Sequence, residues 1–195
     1  MIRINFGSGP HPLPGWVNVD LDRAGRPDVI ADLSRPLPFA DGCADYLHTE
    51  DFIAQLEPDA LALFLAECRR IVKPGGCLRL LTPDLARFMR TYLDDPAHLV
   101  RIWNAHVGVP LPNGTAADVV NLGMKLAGRW QYDRETLARI AARAGFDVRA
   151  VGYGESRHPP LRGIDLRKPD EAVSLYLECD PRPVVRPAGA PARIG

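Results

Sequence analysis

The chain has 195 residues, 46% of them hydrophobic and 25% charged, with 24 basic side chains against 24 acidic ones and 19 prolines. A single domain of this length buries roughly 70% of the surface its unfolded chain exposes, so it needs no staples, and the composition excludes a disordered or fibrous protein. The zero net charge excludes a bulk field drawing the protein to nucleic acid or an anionic membrane, and proline at about twice the usual ~5% predicts short or interrupted helices.

Residues 2–6 alternate apolar and polar and run into Gly7-Ser8-Gly9, a strand entering a tight glycine loop. Residues 17–20 and 28–31 read as two further short strands, and 45–48 as a fourth after the turn-rich stretch 36–42. Apolar residues at 61, 64, 65, 68, 71 and 72 recur at helical spacing, so a helix over 59–72 is expected, started by Pro58 and stopped by Pro74-Gly75-Gly76. Residues 77–81 form a buried strand ended by Pro83. Residues 84–130 read as a helical insertion without strands, in which Asp84 caps a helix to about 93 and another covers 96–107. Asp133 caps a helix over 135–144 that Gly145 closes. Strands over 146–153 and 172–178 bring the count to seven. One domain over 1–180 is therefore expected, followed by a flexible Pro-rich tail over 181–195.

This alternation predicts an α/β fold: a Rossmann-like, doubly wound, seven-stranded sheet, mostly parallel, with helices on both faces. The stretch 154–171 lacks the pattern of a crossover helix, so one antiparallel strand is expected at the end. Ligands of such sheets bind at the carboxyl ends of the first strands, where strand order reverses. Cys43, Cys68, Cys77 and Cys179 show no Cys-x-x-Cys pair and no His at metal spacing, which predicts reduced thiols and neither metal site nor disulfide framework. Arg3 and Asn5 break the first apolar run, and no stretch nears about 18 apolar residues. A soluble, cytoplasmic protein without membrane contact is expected.

The loop Gly7-Ser8-Gly9, entered from Phe6, lacks the third glycine of a dinucleotide fingerprint, and Pro10, Pro12 and Pro14 leave no helix start behind it. A pyrophosphate wants such a start, so the loop suits a ligand without phosphates rather than NAD or FAD. Asp20, followed by Leu21, ends the second strand, where an acidic side chain accepts from both hydroxyls of a ribose; Asp22 is a fallback. Asp32 and Leu33 end the third strand. A carboxylate there takes an adenine amino hydrogen while the next backbone N–H meets a ring nitrogen.

Asn5-Phe6-Gly7-Ser8-Gly9 with Gly15-Trp16-Val17-Asn18-Val19-Asp20 resembles the opening of class I S-adenosylmethionine-dependent methyltransferases of the type 11-like group. Asp32-Leu33 before Pro36-Leu37-Pro38-Phe39, and Arg69 through Gly76, are similar to further stretches of that group. The resemblance runs from about 2 to 84 and resumes at Tyr132-Asp133 through Phe146. It implies S-adenosylmethionine as cofactor, with Gly7 and Gly9 beneath its methionine part, Asp20 on the ribose and Asp32-Leu33 at the adenine. Two departures stand out. A His-x-x-Glu-His pattern frequent after strand four is here Glu50-Asp51-Phe52-Ile53-Ala54-Gln55, and a helix usual ahead of strand one is missing.

Methyl transfer from a sulfonium demands mainly orientation, which supplies about 7–11 kcal/mol, and a base only if the acceptor must lose a proton. By position Glu50 is expected at the cofactor and Asp51 facing the acceptor, with His48 packed beneath. Trp103, His106, Trp130 and Tyr132 offer aromatic walls or a small core in the insertion, and His106 is a candidate base. His158, stiffened by Pro159 and Pro160, is a further candidate at the mouth of the sheet. The expected function is methylation of a small-molecule acceptor, with the insertion as a partial lid. The alternatives are a non-catalytic methyltransferase-like binding protein or partner subunit, and a dinucleotide or nucleotide-sugar enzyme of the same architecture. Acceptor atom and oligomeric state are not encoded in any motif.

Overall fold

Period-two alternation in the strands decides how the sheet divides its two faces. The computed structural model describes residues 1–167 and 174–183. Its strands are β1 (Arg3–Phe6), β2 (Val17–Asp20), β3 (Val29–Ile30), β4 (Ala44–Glu50), β5 (Val72–Pro83), β6 (Phe146–Ala150) and β7 (Ser174–Pro181). They form one sheet in the order β3-β2-β1-β4-β5-β7-β6, parallel except for β7, which runs against both β5 and β6. The order reverses direction between β1 and β4, so the expected fold class is the one observed. The tail from 184 and the expected strand start at 172–173 lie outside the described residues.

One face is apolar. Ile4, Phe6, Leu47, Leu78, Leu80, Leu177 and Cys179 meet the buried stripes of α1 (Pro58–Ile71) and α5 (Arg134–Arg143). Pro58 at the first turn and Asp59 suit the α1 amino end, and Leu61, Phe64, Leu65, Cys68 and Ile71 form its inner stripe. Each such side chain contributes about 1.5–3 kcal/mol by leaving water. Phe6 and Phe52 both meet Phe64 edge-on, with centroids 5.4 and 5.5 Å apart, which ties the glycine loop's strand to α1.

The opposite face is polar and nevertheless buried. Asn18, Asn5, His48, Arg79, Glu178 and Arg149 stand side by side across β2, β1, β4, β5, β7 and β6. Asn5 Nδ2 donates to Asn18 Oδ1 at 3.0 Å, and His48 Nδ1 pairs with Asn5 Oδ1 at 2.9 Å. Arg149 meets Glu178 at 2.7 Å, and Arg79 forms a two-pronged ion pair with Asp165 at 2.6 and 2.5 Å with neither side chain exposed. Here the expectation of helices on both faces needs correction. Among the described residues this face is covered by the proline loop before β2 and by 154–166, with Trp16, Cys77 and Leu161 in a small apolar cluster. The insertion's helices, α2 (Leu85–Asp94), α3 (Pro96–His106) and α4 (Ala116–Leu126), pack on one another around Leu99, Trp103 and Val119 beyond the end of β5. Side chains on this face need hydrogen-bond partners, and irregular segments offer unpaired backbone groups that a helix keeps to itself.

No helix among the described residues is long and apolar enough to cross a membrane.

Candidate functional site

The glycine loop leaves β1 with Gly7 at φ +68° and Gly9 at φ +48°, a conformation that disfavours a side chain. The two glycines serve different ends. A Cβ on Gly7 would lie 2.4 Å from Cβ of Phe52, so this position lets β4's exit pack against the loop. Around Gly9 nothing lies within 4 Å of a Cβ position, which leaves its backbone approachable by a ligand. The Ser8 hydroxyl is buried with no hydrogen-bond partner among the described residues.

Asp20 does more than end β2. Its carboxylate accepts from Gly9 N at 2.7 Å and from Asp22 N at 2.8 Å, fixing the loop's shape while lone pairs remain for a further donor. Leu21 beside it is exposed and Leu33 is buried. Asp32 accepts from the Ser34 hydroxyl and amide at 2.6 and 3.0 Å and pairs with Arg35 at 3.1 Å, and these bonds, the Ser34 hydroxyl first, hold its carboxyl below the usual range. Phe6 is fully buried under the loop. Gly7, Ser8, Gly9, Asp20, Leu21, Asp32 and Leu33 therefore converge on the carboxyl ends of β1 to β3. The set suits an adenosine-type ligand without phosphates, because no helix amino terminus follows the loop.

Glu50, expected at the cofactor, ends β4. Its two carboxylate oxygens accept from Leu166 N at 3.1 Å and Arg167 N at 2.5 Å, so it also anchors the chain ahead of β7. Burial pushes its carboxyl upward against the pull of these two amides. His48, in the row beneath, is driven down to about 4 by burial, and its Nε2 stands 3.8 Å from Glu50 with no hydrogen-bond partner among the described residues. Asp51 follows at φ +55°, which turns the chain sharply after β4. Its carboxylate pairs with Arg167 at 2.6 and 2.7 Å.

Asp51 and Arg167 form one end of a cavity of about 280 Å³ beneath the insertion. Its walls are mainly apolar: Leu85 and Phe88 from α2, Leu99, Ile102 and Trp103 from α3, and Val119 from α4. Asp84, Asp95 and Thr115 cap the three helices, Thr115 in a reciprocal box with Asp118. Gln131, whose Nε2 is buried with no partner among the described residues, and Gln55 also line the cavity. Asp51 thus lies on the cavity while Phe52, the next residue, packs on Gly7, so two residues separate cavity and glycine loop.

Two candidate bases lie elsewhere. His158 meets Tyr46 edge-on at 5.6 Å and Asp180 at 2.9 Å, at the amino-terminal half of β4. Tyr46 is four residues from Glu50, roughly 13 Å along a strand, so His158 is removed from the carboxyl ends. The connection carrying it lies across the polar face because Arg79 and Glu178 bind it there through Glu155 O and Ser156 Oγ. His106 is exposed on the last turn of α3, one turn beyond Trp103, and is not among the cavity's lining residues. Trp103 alone of the expected aromatic walls lines the cavity. Tyr132 is buried in the main core with its hydroxyl on Leu56 O at 2.8 Å, and Trp130 is exposed. The thiol of Cys77 comes within 4.8 Å of His158 and Glu178, a meeting that linear spacing did not suggest, but Arg149 and Ser156 already occupy that carboxylate. Sequence reasoning also missed Arg167 and Gln131, since single polar residues in loops carry no periodicity.

Residues 12–80 match the family model described as a Methyltransferase domain. No curated protein matches the chain significantly. Among solved structures, the chain is similar to an S-adenosylmethionine-dependent methyltransferase from Methanosarcina mazei, at 11% identity and a TM-score of 0.56, covering 93% of this chain and 92% of that one. It also resembles a chain in the complex between the Haloferax volcanii Trm112 methyltransferase activator and the putative methyltransferase (12% identity, 93% and 82% coverage, TM-score 0.57). A possible histamine N-methyltransferase from Thermotoga maritima matches at 17% identity, 92% and 81% coverage and TM-score 0.53. Strand order and the match over 12–80 agree with the resemblance read in the sequence: the chain has the Rossmann-like fold of class I methyltransferases, and its first part is similar to the methyltransferase-domain family.

Proposed function

We propose that this protein is an S-adenosylmethionine-dependent methyltransferase acting on a small molecule held in the cavity beneath α2 to α4. The observation that carries the reading is the Asp51-Phe52 step, which places an apolar cavity directly beside an approachable glycine loop. The methyltransferase-domain match supports the reaction class. In this reading Gly7 to Gly9, Asp20 and Asp32-Leu33 hold the cofactor. When bound, S-adenosylmethionine supplies a methyl carbon whose bond to sulfur breaks with both electrons passing to sulfur.

The chain's own part is mainly positional. Asp20 fixes the loop through Gly9 N, and Phe52 sets the distance between loop and cavity. The apolar walls exclude water from the acceptor, and Asp51 accepts a hydrogen bond from the acceptor's nucleophilic group or takes the proton it loses. The neutral surface fits an acceptor that is neither nucleic acid nor membrane, and a cytoplasmic location. A second reading, a partner-dependent or non-catalytic subunit, is favoured by one observation: Asp51 is already paired with Arg167.

Calorimetric titration with S-adenosylmethionine, S-adenosylhomocysteine and NAD tests the proposal. Micromolar binding of the first two without NAD is expected. NAD binding, or no binding by any of them, overturns the cofactor assignment.

A further inference from the structure

The cavity's chemistry narrows the acceptor. Resting on the reading above, we infer that the acceptor is a neutral, largely apolar molecule about the size of one substituted ring, bearing a hydroxyl or an aromatic amine.

Size comes first. Liquid water takes about 30 Å³ per molecule, so 280 Å³ admits on the order of ten non-hydrogen atoms. That is a single ring with a short substituent, smaller than a nucleoside or a fused polycycle. Lining comes second. Leu85, Phe88, Leu99, Ile102, Trp103 and Val119 present no hydrogen-bonding group to the space except the Trp103 indole, which is already given to Val109 O at 2.7 Å. A sugar or an amino acid zwitterion would leave its polar groups unpaired against these walls, at a cost for each group.

Charge comes third. Among the described residues that line the cavity the ionic groups are Asp51 and Arg167, matched to each other at 2.6 Å, with Arg167 mostly buried and Asp51 half-exposed. An anionic acceptor is repelled by Asp51 and a cationic one by Arg167, and either gains a partner only by drawing it from the existing pair, whose Arg167 is mostly buried. A neutral hydroxyl or aromatic amine donates to Asp51 without disturbing the pair. Gln131 and Gln55, also on the lining, offer further neutral partners.

The test uses the full chain saturated with S-adenosylhomocysteine and three probes of equal size: 4-ethylphenol, 4-ethylbenzoate and 4-ethylbenzylammonium, titrated by calorimetry. Binding of the phenol at least tenfold tighter than either ion is expected. Met124→Trp and Ile102→Trp, which fill the cavity from α4 and α3, should each abolish phenol binding while the S-adenosylhomocysteine affinity stays within twofold. Asp51→Asn, an isosteric change at a residue type that tolerates positive φ, leaves Arg167 without its counter-charge. It should invert the preference, weakening the phenol and admitting the benzoate. Equal or tighter binding of either ion to the unaltered chain overturns the inference, as does phenol binding that survives both tryptophan variants. Failure of all three probes on a chain that binds S-adenosylhomocysteine overturns it too, leaving the cofactor reading intact. If S-adenosylhomocysteine itself does not bind, the cofactor reading fails, and the same probe ranking on the free chain still decides the inference.

Discussion

Replacing Asp165 by Asn removes one charge from a wholly buried pair and changes almost nothing in shape. Arg79 lies on the central strand β5 with Nε and Nη2 on the two Asp165 oxygens at 2.6 and 2.5 Å. Its remaining partners are Glu155 O at 2.9 Å, Gly152 O at 3.3 Å and Glu178 at 3.5 Å, none of which can replace a two-pronged carboxylate. An amide at 165 would accept one bond and turn an NH₂ toward the guanidinium. Breaking such a pair from one side costs about 3–5 kcal/mol, because the surviving charge stays buried. With a urea slope of about 2 kcal/mol/M, the unfolding midpoint should fall by about 2 M. Circular dichroism in a urea series reads this directly. Arg79→Met together with Asp165→Leu should recover part of the loss, since no lone charge then remains. A midpoint shift below about 0.5 M for Asp165→Asn would refute the reasoning and mean that water reaches the pair.

Other outcomes follow from the same geometry. His48 stays neutral in the folded protein down to about 4 but takes up a proton near 6.5 when unfolded, so the unfolded state binds more protons between those values. Stability should therefore fall as pH drops from 6.5 to 4, by on the order of 3 kcal/mol, and His48→Gln should flatten that slope in urea midpoints measured across the range. Asp20→Ala should weaken S-adenosylhomocysteine binding at least about tenfold in calorimetry, through loss of a charged acceptor worth roughly 1.5–3 kcal/mol and of the Gly9 tether. Gly9→Val should leave thermal stability lower by only about 1–2 kcal/mol of backbone strain yet abolish cofactor binding, whereas Gly7→Ala should damage the fold itself through Phe52. Thermal melts with and without S-adenosylhomocysteine separate the two.

The strands, α1 and α5 were legible because their apolar residues keep a strict period against one core. Pro74-Gly75-Gly76 ends α1 as expected but lies inside β5: the ladder skips from Ala44–Val72 to Tyr46–Cys77, and of β4 only Asp45 faces the gap, its carboxylate paired with Lys73 at 2.9 Å. The glycine loop and the acids at 20 and 32 were legible because strand ends announce themselves in short alternating runs. What could not be read was where irregular chain goes. Alternation in β1 and β5 gave a polar face but not its burial, since a row of Asn, His, Arg and Glu reads as solvent-facing until the covering loops are known. His158, expected at the mouth of the sheet, lies away from the carboxyl ends for that reason, and the backbone partners of Glu50 follow no motif. Each binds a loop or strand whose path depends on contacts more than a hundred, or about twenty, residues away.

The polar row also limits how this sheet can vary. Among the described residues, the Asn5 side chain is satisfied between Asn18 and His48, and that of Glu178 between Arg79 and Arg149 with Ser156 above. A single exchange for an apolar residue strands a neighbour on the next strand, and a one-residue slip of any strand would carry its whole polar share into the apolar core. Sequence change on this face must then proceed by concerted pairs across neighbouring strands, while the helix-covered face can drift one methyl group at a time.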